Sequence, residues 1–152
     1  MKHLLLVYSS QSGHTEAMMH AVSEGAAEFS DAVELRALQA LSAGIDDLLW
    51  AQGLLIGTPE NFGYMSGAVK DFLDRTYYPA QGKVNGLPYA VFISAGNDGS
   101  GAVRAIERIA QGYGWQKIAE PVIALNELDN QSLERCRELG QTIAAGLAYG
   151  IF

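Results

Sequence analysis

The sequence predicts an α/β fold: a three-layer sandwich in which a parallel sheet of about five strands, in the order 2-1-3-4-5, lies between helices. Two observations predict it. Apolar runs without polar alternation, Leu4-Leu5-Leu6-Val7-Tyr8, Gly53-Leu54-Leu55-Ile56-Gly57 and Tyr89-Ala90-Val91-Phe92-Ile93, read as strands buried on both faces. Stretches with apolar residues at helical spacing separate them, so strand and helix alternate, and right-handed crossovers restrict the strand order. Val33, Leu35 and Ala37 alternate with Glu34, Arg36 and Leu38, which places the second strand at an edge.

In chain order, the first strand breaks into Ser9-Ser10-Gln11-Ser12-Gly13-His14-Thr15, and a helix follows with Met18, Val22, Ala26 and Phe29 on one face. A brief helix between Ser42 and Trp50 has Asp46 and Asp47 in its first turn, where the helix dipole favours them. The third strand runs into a long loop, residues 58–67, carrying Phe62, Gly63, Tyr64 and Gly67. Val69, Phe72, Leu73 and Thr76 mark the next helix, which Pro79 is expected to end, and Asn85-Gly86 signals a turn. Pro88 opens the fourth strand, which breaks into Ser94-Ala95-Gly96-Asn97-Asp98-Gly99-Ser100-Gly101. Val103, Ile106, Ala110 and Tyr113 mark a helix. Residues 117–125 are expected to contain the last strand, with Pro121 tolerated near an edge, and residues 131–149 the closing helix. No repeat, low-complexity segment or linker divides residues 1–152, which are read as one domain.

At 152 residues, 49% hydrophobic and 18% charged, the chain can bury a core and is not disordered. A net charge of -7 argues against a nucleic-acid partner, whose phosphates it would repel. A single cysteine, Cys136, can form neither an internal disulfide nor an iron–sulfur cluster by itself; it falls on a helical pattern with Leu133, Gly140 and Ile143 and reads as core. No apolar run is long enough to span a bilayer, so no membrane partner is expected. The first strand begins almost at Met1, which leaves no room for a signal peptide, and the expected location is the cytoplasm.

A buried strand, a hydroxyl-rich loop and a helix together point free backbone N–H groups at an anion. Ser9, Ser10, Ser12 and Thr15 add hydroxyls, Gln11 an amide, and Gly13 lets the backbone come close. His14 either donates to a phosphate or faces solvent. The loop is not a Walker A loop, because His14 stands where the lysine belongs, and it lacks the three glycines of a dinucleotide loop. The plainer alternative is that its hydroxyls only cap the helix. Residues 9–15, 58–67 and 94–101 all follow strands at one sheet edge, where such folds bind ligands. No Gly-x-Ser-x-Gly elbow and no cluster with metal-ligand spacing is present. His3 and His20 read as surface or structural residues, Trp50 and Trp115 as core.

On these residues the chain resembles the flavodoxin-like FMN proteins. Their first-loop pattern is matched by Leu6, Val7, Tyr8, Ser10, Gly13, Thr15 and Val22, with Met19 where the pattern has Ala. Flavodoxin is itself the standard illustration of the 2-1-3-4-5 order. The second loop and its helix resemble those of NAD(P)H-dependent FMN and quinone reductases at Thr58, Pro59, Phe62, Gly63, Ser66, Gly67, Lys70, Phe72, Asp74 and Arg75. The resemblance implies FMN as cofactor. Its phosphate would be held by Ser9, Ser10, Gln11, Ser12, Gly13, His14 and Thr15. Its ring edge would meet Thr58, Pro59, Glu60, Asn61, Phe62 and Gly63, with Phe62 or Tyr64 near the ring plane. Ser94, Ala95, Gly96, Asn97, Gly99 and Gly101 would wrap the ring and ribityl chain.

Electron-carrier flavodoxins usually bring an aromatic from this third loop over the flavin. None lies between Ser94 and Gly101, which leaves room for a nicotinamide or quinone. The expected function is NAD(P)H-dependent reduction of a quinone, flavin or other small acceptor through FMN, with no side chain required as acid or base. The alternative is a flavodoxin-type carrier passing electrons between redox-protein partners. A phosphoacceptor receiver shares the topology but needs acidic residues where Ser9-Ser10 and Thr58-Pro59 stand. Reductases of this type often form homodimers or homotetramers. Tyr77-Tyr78 and Tyr149-Gly150-Ile151-Phe152 either serve such an interface or fold back on the core.

Overall fold

Strand residues that alternate in direction let one sheet feed two cores, and the computed structural model, which describes residues 1–152, shows both. β1 (Lys2–Tyr8) is flanked by β2 (Val33–Gln39) at the edge and by β3 (Gly53–Pro59), which pairs with β4 (Pro88–Ala95). The last position is shared by β5 (Gln116–Lys117) and β6 (Val122–Leu125), both paired with β4, and every pairing is parallel. The order is therefore the expected 2-1-3-4-5.

Leu4, Leu6, Leu55 and Phe92 point to a core built with α1 (His14–Ala27) and α5 (Asn130–Ala148). Leu5, Val7, Leu54, Ile56 and Val91 point the other way, toward α3 (Gly67–Ala80) and α4 (Ser100–Tyr113), with short α2 (Ile45–Trp50) at the edge. α1 crosses α5 with Gly25 and Gly140 at the contact. A Cβ at either position would sit 1.9 Å from a main-chain oxygen of the other helix.

The reductase-like stretch after Gly67 has a structural purpose. Phe72 is fully buried, Lys70 pairs with Asp74 at 2.7 Å, and the Arg75 guanidinium donates to the carbonyls of Ala40 and Ala43, each at 3.0 Å. It thereby satisfies the end of a 3-10 turn, Ala40–Ser42.

Residues 117–125 contain the last strand, β6, as expected, but Lys117 belongs to the separate β5: β4 advances from Tyr89 to Phe92 while its neighbour advances from Lys117 to Val122. The excess bulges out around Pro121, which has no N–H to give to a ladder. One expectation is corrected: Pro79 does not end α3, which runs one residue past it to Ala80; the bond its ring cannot donate to the i−4 carbonyl falls in the final turn, where no further helix depends on it.

Trp115 is buried and stacks on Tyr113 with centroids 4.2 Å apart. Trp50 is half-buried, with His3 stacked at 4.3 Å and the Arg36 guanidinium over its ring at 3.9 Å. At the carboxyl end Phe152 folds back on α5, its ring filling the space a side chain at Gly146 would need, while Tyr149 and Ile151 stay exposed.

Cys136 is core, as expected, and burial pushes its thiol up from 9.0 to about 11. Iodoacetamide should therefore leave Cys136 unlabelled in the native protein at neutral pH and label it once the chain is unfolded. The native thiol stays neutral where the unfolded one ionises, so its share of stability is complete below about pH 9 and is lost as pH rises toward 11. Rapid labelling of folded protein at neutral pH would contradict this placement.

Candidate functional site

The carboxyl edge of the sheet carries a cleft of about 310 Å³, at the low end for small-molecule sites. It is lined by Gln11, Ser12 and His14 after β1, Pro59, Glu60 and Asn61 at the end of β3 and beyond, Ser94, Ala95 and Gly96 at and after the end of β4, and Asn126 and Glu127 after β6. His14 Nε2 lies 3.7 Å from Glu127 Oε2, so the first and last of these loops meet across the opening.

The first loop is built to receive an anion. Ser9 still belongs to the sheet, its N–H donating to Gly57 at 3.0 Å. From there the N–H groups of residues 10–15 have no acceptor within the chain. Gly13 makes this possible at φ 96°, a backbone that turns successive amides toward one side. Ser10 serves the helix: its hydroxyl accepts from the Glu16 N–H at 3.3 Å. Thr15 is 1% exposed and does not line the cleft; its Oγ1 lies 2.8 Å from Ser94 Oγ, which does. Two hydroxyls share one bond, so one proton is left over. With Thr15 donating, the Ser94 proton is free to point into the cleft.

The second loop differs from its expected form. Asn61 and Tyr64 exchange both main-chain hydrogen bonds, at 2.8 and 3.0 Å, around Phe62 at φ 52° and Gly63 at φ 73°. Positive φ at both central residues makes this a two-residue hairpin turn. It consumes the Asn61 main-chain groups, leaving its side chain to the cleft, and throws Phe62 out to 107% exposure. Neither Phe62 nor Tyr64 lines the cleft, and the only aromatic ring among the lining side chains is the His14 imidazole. Thr58 is fully buried, its hydroxyl accepting from the Ser66 N–H at 2.9 Å, so its side chain clamps the loop base.

Glu60 ties the second loop to the third. Its N–H donates to Ser94 at 2.8 Å, and its carboxylate accepts from Gly99 at 3.0 Å and Ala102 at 3.1 Å, at the start of α4. A carboxylate there satisfies amides the helix cannot. The Gly99 N–H is therefore spent inside the protein. Gly101 is a packing glycine: a Cβ there would lie 2.2 Å from the Gly63 carbonyl oxygen. The N–H groups of Gly96 and Asn97 have no acceptor within the chain.

Asn126 and Glu127 are site residues the sequence reading missed. Asn126 holds φ 60°, which asparagine tolerates, and its N–H donates to Ala95 at 2.8 Å. The signal was a polar break, Asn126-Glu127, directly after an apolar strand.

Residues 35–127 match the model of a family described as NADPH-dependent FMN reductase. The chain belongs to that family. FMN is its cofactor and FMN-dependent oxidation–reduction its chemistry. The family match takes in the second, third and fourth loops but not the first. A flavodoxin of Aquifex aeolicus (strain VF5) covers that part too, at 28% identity over 95% of this chain and 86% of its own. An NAD(P)H dehydrogenase (quinone) of Acidithiobacillus ferrooxidans is 35% identical over 66% of this chain; the match spans 60% of that enzyme. In three dimensions, a flavodoxin from the domain Archaea superimposes with a TM-score of 0.85 at 24% identity, covering 95% of this chain and 98% of its own.

The residues present fit the family's cofactor. A phosphomonoester needs several donors converging on one point, and the unbonded amides of residues 10–15 supply them beside the cleft. No helix of the chain is long and apolar enough to cross a membrane.

Proposed function

We propose that the chain binds FMN in this cleft and uses NAD(P)H to reduce a quinone, a second flavin or another small acceptor. The observation that carries this reading is the lining of the cleft: polar and small residues from four loops, with no phenylalanine, tyrosine or tryptophan to cover a bound ring. When bound, FMN supplies the hydride and electron transfer. The chain's part is to hold and to shape. Residues 10–15 would hold the phosphate, with Thr15 setting the rotamer of Ser94. Pro59, Asn61, Ser94, Ala95 and Gly96 would hold the ring, while Asn126 and Glu127 close the remaining side. Gly99, Gly101 and the Thr58 side chain act on the loops.

No arginine or lysine lines the cleft, and Glu60 and Glu127 do. Added negative charge is therefore disfavoured there, which suits a protein that gives electrons up readily. One domain, a cytoplasmic setting and a reductase rather than a carrier belong to the same proposal.

The test is anaerobic. NADPH or NADH should bleach the visible band of the FMN-loaded protein, and a quinone should restore it over repeated cycles. If neither nucleotide bleaches the band while a reduced redox protein does, the carrier reading replaces this one. The second reading has support of its own, because the Aquifex relative that spans nearly the whole chain is a flavodoxin.

A further inference from the structure

The chain has 10 lysines and arginines against 17 acidic residues, so where its cations stand without carboxylate partners is informative. Arg36, Lys70, Arg75, Lys117 and Arg137 are in ion pairs. Lys2, Lys83, Arg104, Arg108 and Arg135 are not, and of these Arg104 and Arg108 stand together. They lie one turn apart on α4, and both line a groove of about 500 Å³ whose other wall includes Tyr64. Glu107 also lines it, but Lys117 holds that carboxylate at 3.0 Å. The one bond Arg104 makes is to Ser100 Oγ at 3.3 Å, and Arg108 makes none. Like charges at this spacing weaken a helix, so the pair does not stabilise α4.

The groove and the flavin cleft share a wall. Asn61 lines the cleft and Tyr64 lines the groove, and these two residues are bonded to each other as the two ends of one hairpin. A molecule long enough to pass over that turn would touch both sites.

We propose that this groove takes the 2′-phosphoadenosine end of NADPH, with Arg104 and Arg108 on the 2′-phosphate and the Tyr64 ring against the adenine. The inference rests on the reading that a nicotinamide nucleotide is the electron donor, and it makes NADPH the preferred one. Paired guanidinium groups match a phosphate dianion, and an aromatic face matches a base. On a surface of net charge -7, two arginines without carboxylate partners offer a polyanion positive charge in one groove.

The test uses the FMN-loaded protein and two probes, adenosine 2′,5′-bisphosphate and adenosine 5′-monophosphate, titrated by calorimetry. The bisphosphate should bind at least about tenfold more tightly, the effect of one good charge-assisted contact. In the double variant Arg104→Gln/Arg108→Gln that advantage should vanish, and the ratio of KM for NADPH to KM for NADH should rise about tenfold. Both side chains are exposed, so the variant should fold, and an unchanged Tm checks that it does. Equal affinity for the two probes, or a variant that keeps the preference, overturns the groove. Activity with equal KM for NADH and NADPH overturns the groove and leaves the donor reading standing. A bisphosphate preference that the variant loses, in a protein that oxidises neither nucleotide, upholds the groove as a 2′-phosphonucleotide site and removes the donor reading.

Discussion

Replacing Ser12 with aspartate should weaken FMN about a hundredfold and leave riboflavin almost untouched. Ser12 is exposed, lines the cleft and lies within the run of unbonded amides, residues 10–15. It makes no hydrogen bond that the fold relies on, so the substitution reports on the ligand and not on stability. A phosphomonoester carries about two negative charges. Set roughly 5 Å from a carboxylate, with an effective dielectric of about 40, it is repelled by roughly 3 kcal/mol, which is about a hundredfold in Kd. No lysine or arginine in the cleft is available to offset this. If the new carboxylate instead folds onto the amides, it occupies the phosphate position, and the sign is the same. Riboflavin lacks the phosphate and feels neither effect. Quenching of flavin fluorescence gives both constants; equal weakening of the two ligands would remove the phosphate role of this loop.

The sequence disclosed the parts of this site that are local. A buried strand followed by Ser9-Ser10-Gln11-Ser12-Gly13 foretells a loop of unpaired amides, because the neighbours along the chain decide that geometry. The 2-1-3-4-5 order was legible for the same reason: unbroken apolar strands mark the middle and an alternating one marks the edge. What could not be read is what one loop does to another. Glu60 looked like a ligand residue, yet 39 positions away it caps α4 through Gly99. Thr58 looked accessible, yet it bonds Ser66 and is fully buried. Gly101 seemed to offer an amide, and it is glycine because the Gly63 carbonyl leaves no room for a side chain. Asn126 and Glu127 escaped notice because their loop has no glycine or hydroxyl run, although the strand before them ends at Leu125 as expected.

Gly140→Ala should destabilise the protein by about 3 kcal/mol, although alanine is the better helix former. In α5 the exchange alone would be worth about 1 kcal/mol in favour of alanine. The contact reverses the sign. The new Cβ would lie 1.9 Å from the Val22 carbonyl oxygen and 3.0 Å from the Ala26 nitrogen. These are main-chain atoms of α1, so no flexible side chain can yield, and the two helices must part. Gly25 has the reciprocal contact, 1.9 Å from the Arg137 carbonyl oxygen, so the crossing is closed from both sides. For a chain of this size the loss corresponds to a fall in Tm of about 10 °C. Gly112→Ala supplies the contrast: within α4 its Cβ would meet nothing nearer than Tyr77 at 3.8 Å, so there the gain of up to about 1 kcal/mol should appear unopposed. Calorimetry on the two variants therefore separates helix propensity from helix contact by sign. Should Gly140→Ala stabilise as Gly112→Ala does, the close crossing is absent in solution. The same displacement reaches the cofactor. α1 begins at His14, so the last two amides of the run, those of His14 and Thr15, belong to it, and moving α1 off α5 turns the N–H groups out of convergence. FMN affinity should then fall further than riboflavin affinity in the Gly140→Ala protein, well below its reduced Tm.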